Sequence, residues 1–200
     1  MKLKMLITGG EGDLSKVLAD TFSCDFEVHT PSRSELDVTK ISSVDEYFSN
    51  KCFDVVINNA GTLYSSLVKE SDPIKWINDI NVNLIGTYLI SRKAIRINEN
   101  VKIINVSSTA AFNAYKDWTS YCAAKAGVLK LSLGLKNDGY DVYCLCPGAI
   151  DTKLRNGLNI SNKNVMTISE AVLPFKSVLN GKFDSGDIIF YRKGELTINP

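Results

Sequence analysis

Apolar residues recur along this chain in short unbroken runs, separated by stretches in which they return every third or fourth position. The runs fall at 2–8 ("KLKMLIT"), 26–30 ("FEVHT"), 54–58 ("DVVIN"), 101–106 ("VKIINV"), 141–146 ("DVYCLC") and 187–191 ("DIIFY"). Runs this short, rich in Val, Ile and aromatic residues, predict strands buried on both faces. Between them the spacing predicts helices near 13–22, 42–49, 73–98, 119–136 and 168–180. Asp13, and Ser71 or Asp72 followed by Pro73, supply helix starts. Strands alternating with helices predict an α/β fold, a doubly wound parallel sheet. With no repeats, low-complexity tracts or evident linker, residues 1–200 read as one domain.

One connection breaks the pattern. Leu36 of "LDVT" lies only six positions beyond Thr30, the end of the second run. A parallel neighbour needs a crossover of a dozen residues or more, and extended chain covers at most about 3.5 Å per residue. Residues 36–39 are therefore expected to form a stub at the carboxyl edge of the sheet, with the second crossover truncated.

Composition narrows the function classes. Lys+Arg 23 against Asp+Glu 22 leaves a net charge of +1, which provides no electrostatic footprint for nucleic acid or an anionic membrane. No apolar run reaches the roughly 18 residues of a membrane span. The opening "MKLKMLITGG" turns to glycine too soon for a secretory signal. Cys24, Cys52, Cys122, Cys144 and Cys146 are odd in number and lack CxxC spacing. They read as small core residues in a reducing cytoplasm, with Cys144 and Cys146 on one strand face. Neither they nor the lone His29 make a metal site.

Two features carry chemistry. The first strand runs into "TGGEGDLSKVLA", where glycines allow a tight turn and close approach to a pyrophosphate at a helix N-terminus. Tyr121 and Lys125 lie four positions apart, on one face of a predicted helix. A free tyrosine has a pKa near 10, so a neighbouring cation is needed to make it a useful acid or base at neutral pH.

With "NNAG" at 58–61, "NVSS" at 105–108, "YCAAK" at 121–125 and "PGAIDT" at 147–152, the chain resembles the short-chain dehydrogenases/reductases over residues 8 to 152. The terminal "SGDIIFYRKGEL" is similar to that family's last strand. The resemblance implies a Rossmann-type fold, a nicotinamide cofactor, and hydride transfer to or from a small carbonyl or alcohol. It implies a catalytic tetrad: Tyr121 as proton donor or acceptor and Lys125 lowering the tyrosine's pKa while holding the nicotinamide ribose. Ser108 would hydrogen-bond the substrate oxygen, and Asn83, favoured over Asn81 by its spacing from Gly86, would anchor a proton relay. It also implies cofactor contacts from Gly9, Glu11, Gly12, Asp13 and Leu14 in the turn, from Ser32 and Arg33, and from Asp37 and Val38. Asn59, Ala60 and Gly61 would line the adenine side; Pro147, Gly148, Ile150 and Thr152 would lie over the nicotinamide and pyrophosphate.

The turn departs from the family's single-domain pattern, TGxxxGxG, at Asp13 and Ser15. Read as the TGxxGxxG of the sugar-nucleotide branch, only Ser15 departs, but about fifty residues after Gly148 are too few for that branch's substrate domain. A serine there is expected to crowd the helix against the sheet, and Glu11 and Asp13 place negative charge near a diphosphate. The second strand ends in "HTPSRSE", where Arg33 suits a 2′-phosphate, so NADP(H) is favoured over NAD(H), with Glu35 the competing acid. Ala110, Phe112, Tyr115, Trp118, Leu63 and residues after Thr152 are expected to wall an apolar substrate pocket. In relatives that the chain resembles, the helices at 73–98 and 119–136 pair across a two-fold axis, which implies a homodimer or homotetramer. Alternatives are a cofactor-sensing protein without turnover and a sugar-nucleotide reductase or epimerase.

Overall fold

The structure, a computed structural model, describes residues 2–156 and 164–200. Its centre is a seven-stranded sheet in the order β2-β1-β3-β4-β5-β6-β7. The strands are β1 (Leu3–Ile7), β2 (Phe26–His29), β3 (Val55–Asn58), β4 (Lys102–Val106), β5 (Val142–Pro147), β6 (Ile188–Arg192) and β7 (Glu195–Ile198). All neighbours are parallel except β6 and β7, which form an antiparallel hairpin at the edge. The alternation of side chains along each strand sends Met5 and Ile7 to one face and Leu6 to the other. On the first face lie α1 (Asp13–Phe22) and, late in the chain, α7 (Ile168–Leu179), represented in the core by Leu18 and Phe175. On the second lie α2 (Ile41–Tyr47), through Val44, and α4 (Gly86–Ile97), through Ile90 and Ala94. Leu129 of α5 (Thr119–Asn137) packs on Cys144, Cys146 and Ile188.

The stub forms no strand. Leu36 and Val38 are buried beyond the end of β2, which remains the sheet edge. Gly86 accommodates it, because a Cβ there would lie 2.7 Å from Val38 Cγ2.

The stretch expected as one helix over 73–98 is divided. It begins as α3 (Pro73–Ile80), widens into a π-helical turn over Asn81–Ile85, and resumes as α4. Such turns concentrate at functional sites, and this one carries Asn83. Two short elements had no periodicity to reveal them: β7, exposed along its length, and the one-turn helix α6 (Lys153–Asn156). Cys144 and Cys146 are buried on one face with sulfurs 3.8 Å apart. The expectation of core cysteines fails for Cys24 and Cys52, which are exposed, and in part for Cys122, which is half-buried. Among the described residues no helix is long and apolar enough to cross a membrane.

Candidate active site

The carboxyl ends of β1, β3, β4 and β5 open onto a cavity of ≈ 980 Å³. Its floor is built of backbone. Gly9 has φ +72°, and a Cβ on it would sit 2.9 Å from Ala60 Cα; one on Gly10 would lie 2.2 Å from the Thr30 carbonyl oxygen. Thr8 draws the two loops together, its hydroxyl accepting from the N–H groups of Asn59 and Ala60 at 3.0 Å each. Gly12 caps α1 without a side-chain hydrogen bond, so the first N–H groups of the helix have no cap and suit an anion.

Ser15 does not crowd the helix. It is buried, donates to the Thr8 carbonyl at 3.3 Å and accepts from Asn59 Nδ2 at 2.7 Å, which ties α1 to two strand ends. Asp13 Oδ2 accepts from Lys153 N at 2.7 Å, so this carboxylate is engaged by α6.

At one end of the cavity stand Arg33 and Asp37. Arg33 Nε lies 3.9 Å from Asp37 Oδ2, and Asp37 also accepts from Thr39. Burial pushes the Asp37 carboxyl up, but hydrogen bonds from Thr39 and the Arg33 charge outweigh it and leave it below its ordinary range. Glu35 turns away to receive the N–H and hydroxyl of Ser32, at 2.8 and 2.7 Å. Ser32 thus does not line the cavity, alone among the expected cofactor contacts.

At the other end β4 delivers Ser107 and Ser108 opposite α5. Ser107 is buried and donates to the Lys125 carbonyl at 2.7 Å, fixing the helix against the strand. Ser108 accepts from Ala110 N at 3.1 Å and is hydrogen-bonded to the Tyr121 side chain. Lys125 Nζ donates to the Val106 carbonyl at 2.9 Å and lies 5.5 Å from the centre of the Tyr121 ring. Trp118 meets that ring edge-on at 5.8 Å.

Burial dominates both titrations. It pushes Tyr121 up to about 12 against the Ser108 hydrogen bond, and Lys125 down to about 8 against the charge of Asp79. The lowering of Tyr121 by Lys125 that the resemblance implied is thus not what this environment produces. The ammonium is turned to the Val106 carbonyl, and desolvation of the phenolate is the larger effect.

Asn83 is fully buried behind this pair, whereas Asn81 is half-buried and outside the cavity. Its Nδ2 donates to the Thr62 carbonyl (2.9 Å), the Asp79 carbonyl (2.8 Å) and Asp79 Oδ1 (3.0 Å). Its Oδ1 receives no hydrogen bond among the described residues. A Cβ on Gly61 would lie 2.9 Å from that oxygen and 3.8 Å from Lys125 Nζ, so Gly61 keeps open the space they share.

Of the expected substrate wall, Leu63, Tyr115, Trp118 and, after Thr152, Lys153, Leu154 and Arg155 line the cavity. Ala110 and Phe112 do not: Ala110 is buried, and Phe112 packs edge-on against Phe190. The part of the wall at 157–163 lies outside the described residues. Polar residues that carry no sequence motif complete the lining, among them Thr62 and Arg192. Asp79 and Ser120 lie behind the cavity, and the only advance signal was that Asp79 precedes Asn83 by one helical turn.

These features fit a dinucleotide: a glycine floor, an uncapped helix start, a basic residue at one end and a Tyr, Lys and Ser cluster at the other. Residues 15–163 match the short chain dehydrogenase family, and the chain belongs to it. It is therefore a member of an oxidoreductase family. The 3-oxoacyl-[acyl-carrier-protein] reductase of Chlamydia trachomatis serovar D is 31% identical over 170 residues, covering 79% of this chain and 68% of the reductase. An uncharacterized oxidoreductase of Staphylococcus aureus MRSA252 is 29% identical over 185 residues, 85% of this chain and 78% of the relative. Among solved structures, a short chain dehydrogenase from Burkholderia cenocepacia J2315 in complex with NADP has a TM-score of 0.81 at 25% identity, covering 92% and 86% of the two chains. A small-chain dehydrogenase in complex with NADPH has a TM-score of 0.87 at 18% identity over 97% and 98%, a likeness of fold.

Proposed function

We propose that the protein transfers a hydride between a nicotinamide cofactor, NADP(H) in preference to NAD(H), and a small carbonyl or alcohol substrate. The observation that carries this reading is the convergence of Ser108, Tyr121 and Lys125 on one end of a glycine-floored cavity. A bound nicotinamide supplies and receives the hydride. The chain's own residues handle position and protons. Ser108 and Tyr121 present hydroxyl groups where a substrate oxygen gains negative charge, and preorganised donors are worth most there. Tyr121 gives up its phenolic proton in reduction and takes one in oxidation. Lys125 holds positive charge beside the phenol, and Asn83, whose carbonyl oxygen has no partner among the described residues, is the group that would anchor a proton relay behind Lys125. Binding of NADPH followed by fluorescence, then a screen of carbonyl compounds for oxidation of the bound cofactor, tests the assignment. Saturable binding with no turnover on any carbonyl would favour a cofactor sensor instead.

The preference for NADP(H) rests on Arg33 at the cavity mouth and on Glu35 being turned to Ser32. Arg33→Ala is expected to weaken NADPH binding about tenfold or more, as one charge-assisted hydrogen bond to phosphate implies, and NADH binding much less. Equal losses for both cofactors in fluorescence titrations would contradict it.

The same reading extends to assembly. Ile74, Ile77, Ile85 and Tyr88 of the α3–α4 segment are exposed at 79%, 52%, 39% and 44%. Large apolar side chains exposed on one segment call for a partner, and a second copy paired about a two-fold axis supplies one. Light scattering is expected to give about twice the 22.0 kDa chain mass, falling to the single-chain value in Ile77→Glu. A parent mass of one chain, unchanged by cofactor, would rule the dimer out.

A further inference from the structure

α3 has eight residues, and the only one it buries is charged. Asp79 is 1% exposed, while Ile74 and Ile77 of the same helix face outward. A carboxylate taken out of water persists only if it is well hydrogen-bonded or paired. Asp79 receives three donors from three separate segments: Thr62 Oγ1 at 2.6 Å, Ser120 Oγ at 2.7 Å and Asn83 Nδ2 at 3.0 Å. All three are neutral, so they solvate the charge without cancelling it.

The placement of those donors connects Asp79 to the chemistry. Ser120 immediately precedes Tyr121 on α5. Asn83 faces Asp79 with its NH₂ group, because the Asp79 carboxylate and the two carbonyls beside it can only accept. Its carbonyl oxygen is thereby directed to the space beside Gly61 that Lys125 Nζ also borders. We propose that Asp79 is a positioning residue of this site, the buried counter-charge of the Lys125 ammonium, acting from behind Asn83 on the pair formed by Tyr121 and Lys125. This rests on the reading of that pair as the proton-handling groups.

The electrostatics agree with the geometry. Of the groups whose charge acts on Lys125, Asp79 of α3 has the largest effect and is the only carboxylate; the others are Cys144 and Cys146 of β5. Tyr121 feels Asp79 and Cys122 in the same upward sense. Removing the Asp79 charge therefore lets both groups fall, and the pH limb of activity that they set moves to lower pH. A side chain that served only to pack α3 against α5 would change stability or rate without moving that limb.

Lys125 is followed directly in the intact 200-residue chain. Acetylation of Lys125 by acetic anhydride across a pH series, read by peptide mass spectrometry, gives its protonation midpoint with no need for turnover. Asp79→Asn is expected to lower that midpoint by about one pH unit, the low end for an opposite charge nearby, and Asp79→Glu to restore most of it. Cys144→Ser, which leaves Asp79 in place, is expected to shift it less. If Asp79→Asn does not fold, Asp79→Leu, which gives α3 the inward apolar residue of an ordinary amphipathic helix, takes the same measurement. An unchanged midpoint in either folded variant overturns the proposal and leaves Asp79 a structural staple. The labelling shift is independent of catalysis. A shift without carbonyl reduction would therefore uphold the charge coupling while refuting the reductase assignment, and turnover without a shift would do the reverse.

Discussion

Replacing Tyr121 by Phe is expected to lower kcat by about 10²–10⁴-fold while leaving nicotinamide affinity close to that of the parent. The substitution deletes one hydroxyl and keeps the ring, with its edge-on contact to Trp118 at 5.8 Å. Ser108 keeps its hydrogen bond from Ala110 N, and Lys125 keeps the Val106 carbonyl, so the cluster retains its shape. What is lost is the proton. Rates at saturating NADPH, with affinity measured separately by fluorescence, separate the two effects. A fall in kcat of less than about tenfold would mean that another group moves the proton.

Lys125→Met is expected to abolish most turnover and to change the pH dependence of stability in a defined direction. Burial holds Lys125 down at about 8, against an ordinary value of 10.5, with Asp79 opposing the fall. Between those values the unfolded chain binds the proton more tightly than the folded one, so stability rises with pH across that window. The favourable contribution is complete above the unfolded value and is lost as pH falls toward about 8. A separation of that size corresponds to roughly 3 kcal/mol. Urea unfolding of parent and variant at about pH 7 and about pH 10.5 should therefore show the parent gaining up to that amount relative to Lys125→Met. A constant difference between the two proteins would show that Lys125 titrates at its ordinary value in the fold.

Much of this architecture is legible in the sequence because the sheet is buried on both faces. Its six parallel strands appear as apolar runs, and that residues 36–39 are no full parallel strand follows from the short chain between Thr30 and Leu36. The antiparallel strand β7 is solvent-exposed along its length, so burial left no mark on its residues. The π-helical turn was hidden for another reason. It alters hydrogen bonding within an otherwise helical pattern, so the apolar spacing over 73–98 reads as one continuous helix. Ser15, read as a misfit for glycine, became a hydrogen-bonding joint because its hydroxyl finds Thr8 and Asn59, a tertiary circumstance that no motif encodes.

The site was legible to the depth of its motifs. Ser108, Tyr121, Lys125 and Asn83 were implied by the resemblance to the short-chain dehydrogenases/reductases, and the structure brings all four to one end of the cavity. Asp79 did not, because an aspartate on a helix with exposed isoleucines reads as an ordinary solvated position. Its burial is decided by Thr62 and Ser120, which are 17 and 41 positions away in the chain. The direction of the Tyr121 shift was also missed, since motif reasoning weighs the neighbouring cation and cannot weigh desolvation.

The central claim is that a hydride passes between a nicotinamide held in this cavity and a substrate carbon. The most direct measurement supplies NADPH carrying deuterium at the transferable position to the parent protein with a carbonyl substrate found in the screen. One deuterium is expected at the new carbinol carbon of the product, with labelled product forming at least about a hundredfold more slowly with Tyr121→Phe at matched cofactor occupancy. Product in which that carbon carries no deuterium, or labelled product formed equally by both proteins, would contradict it.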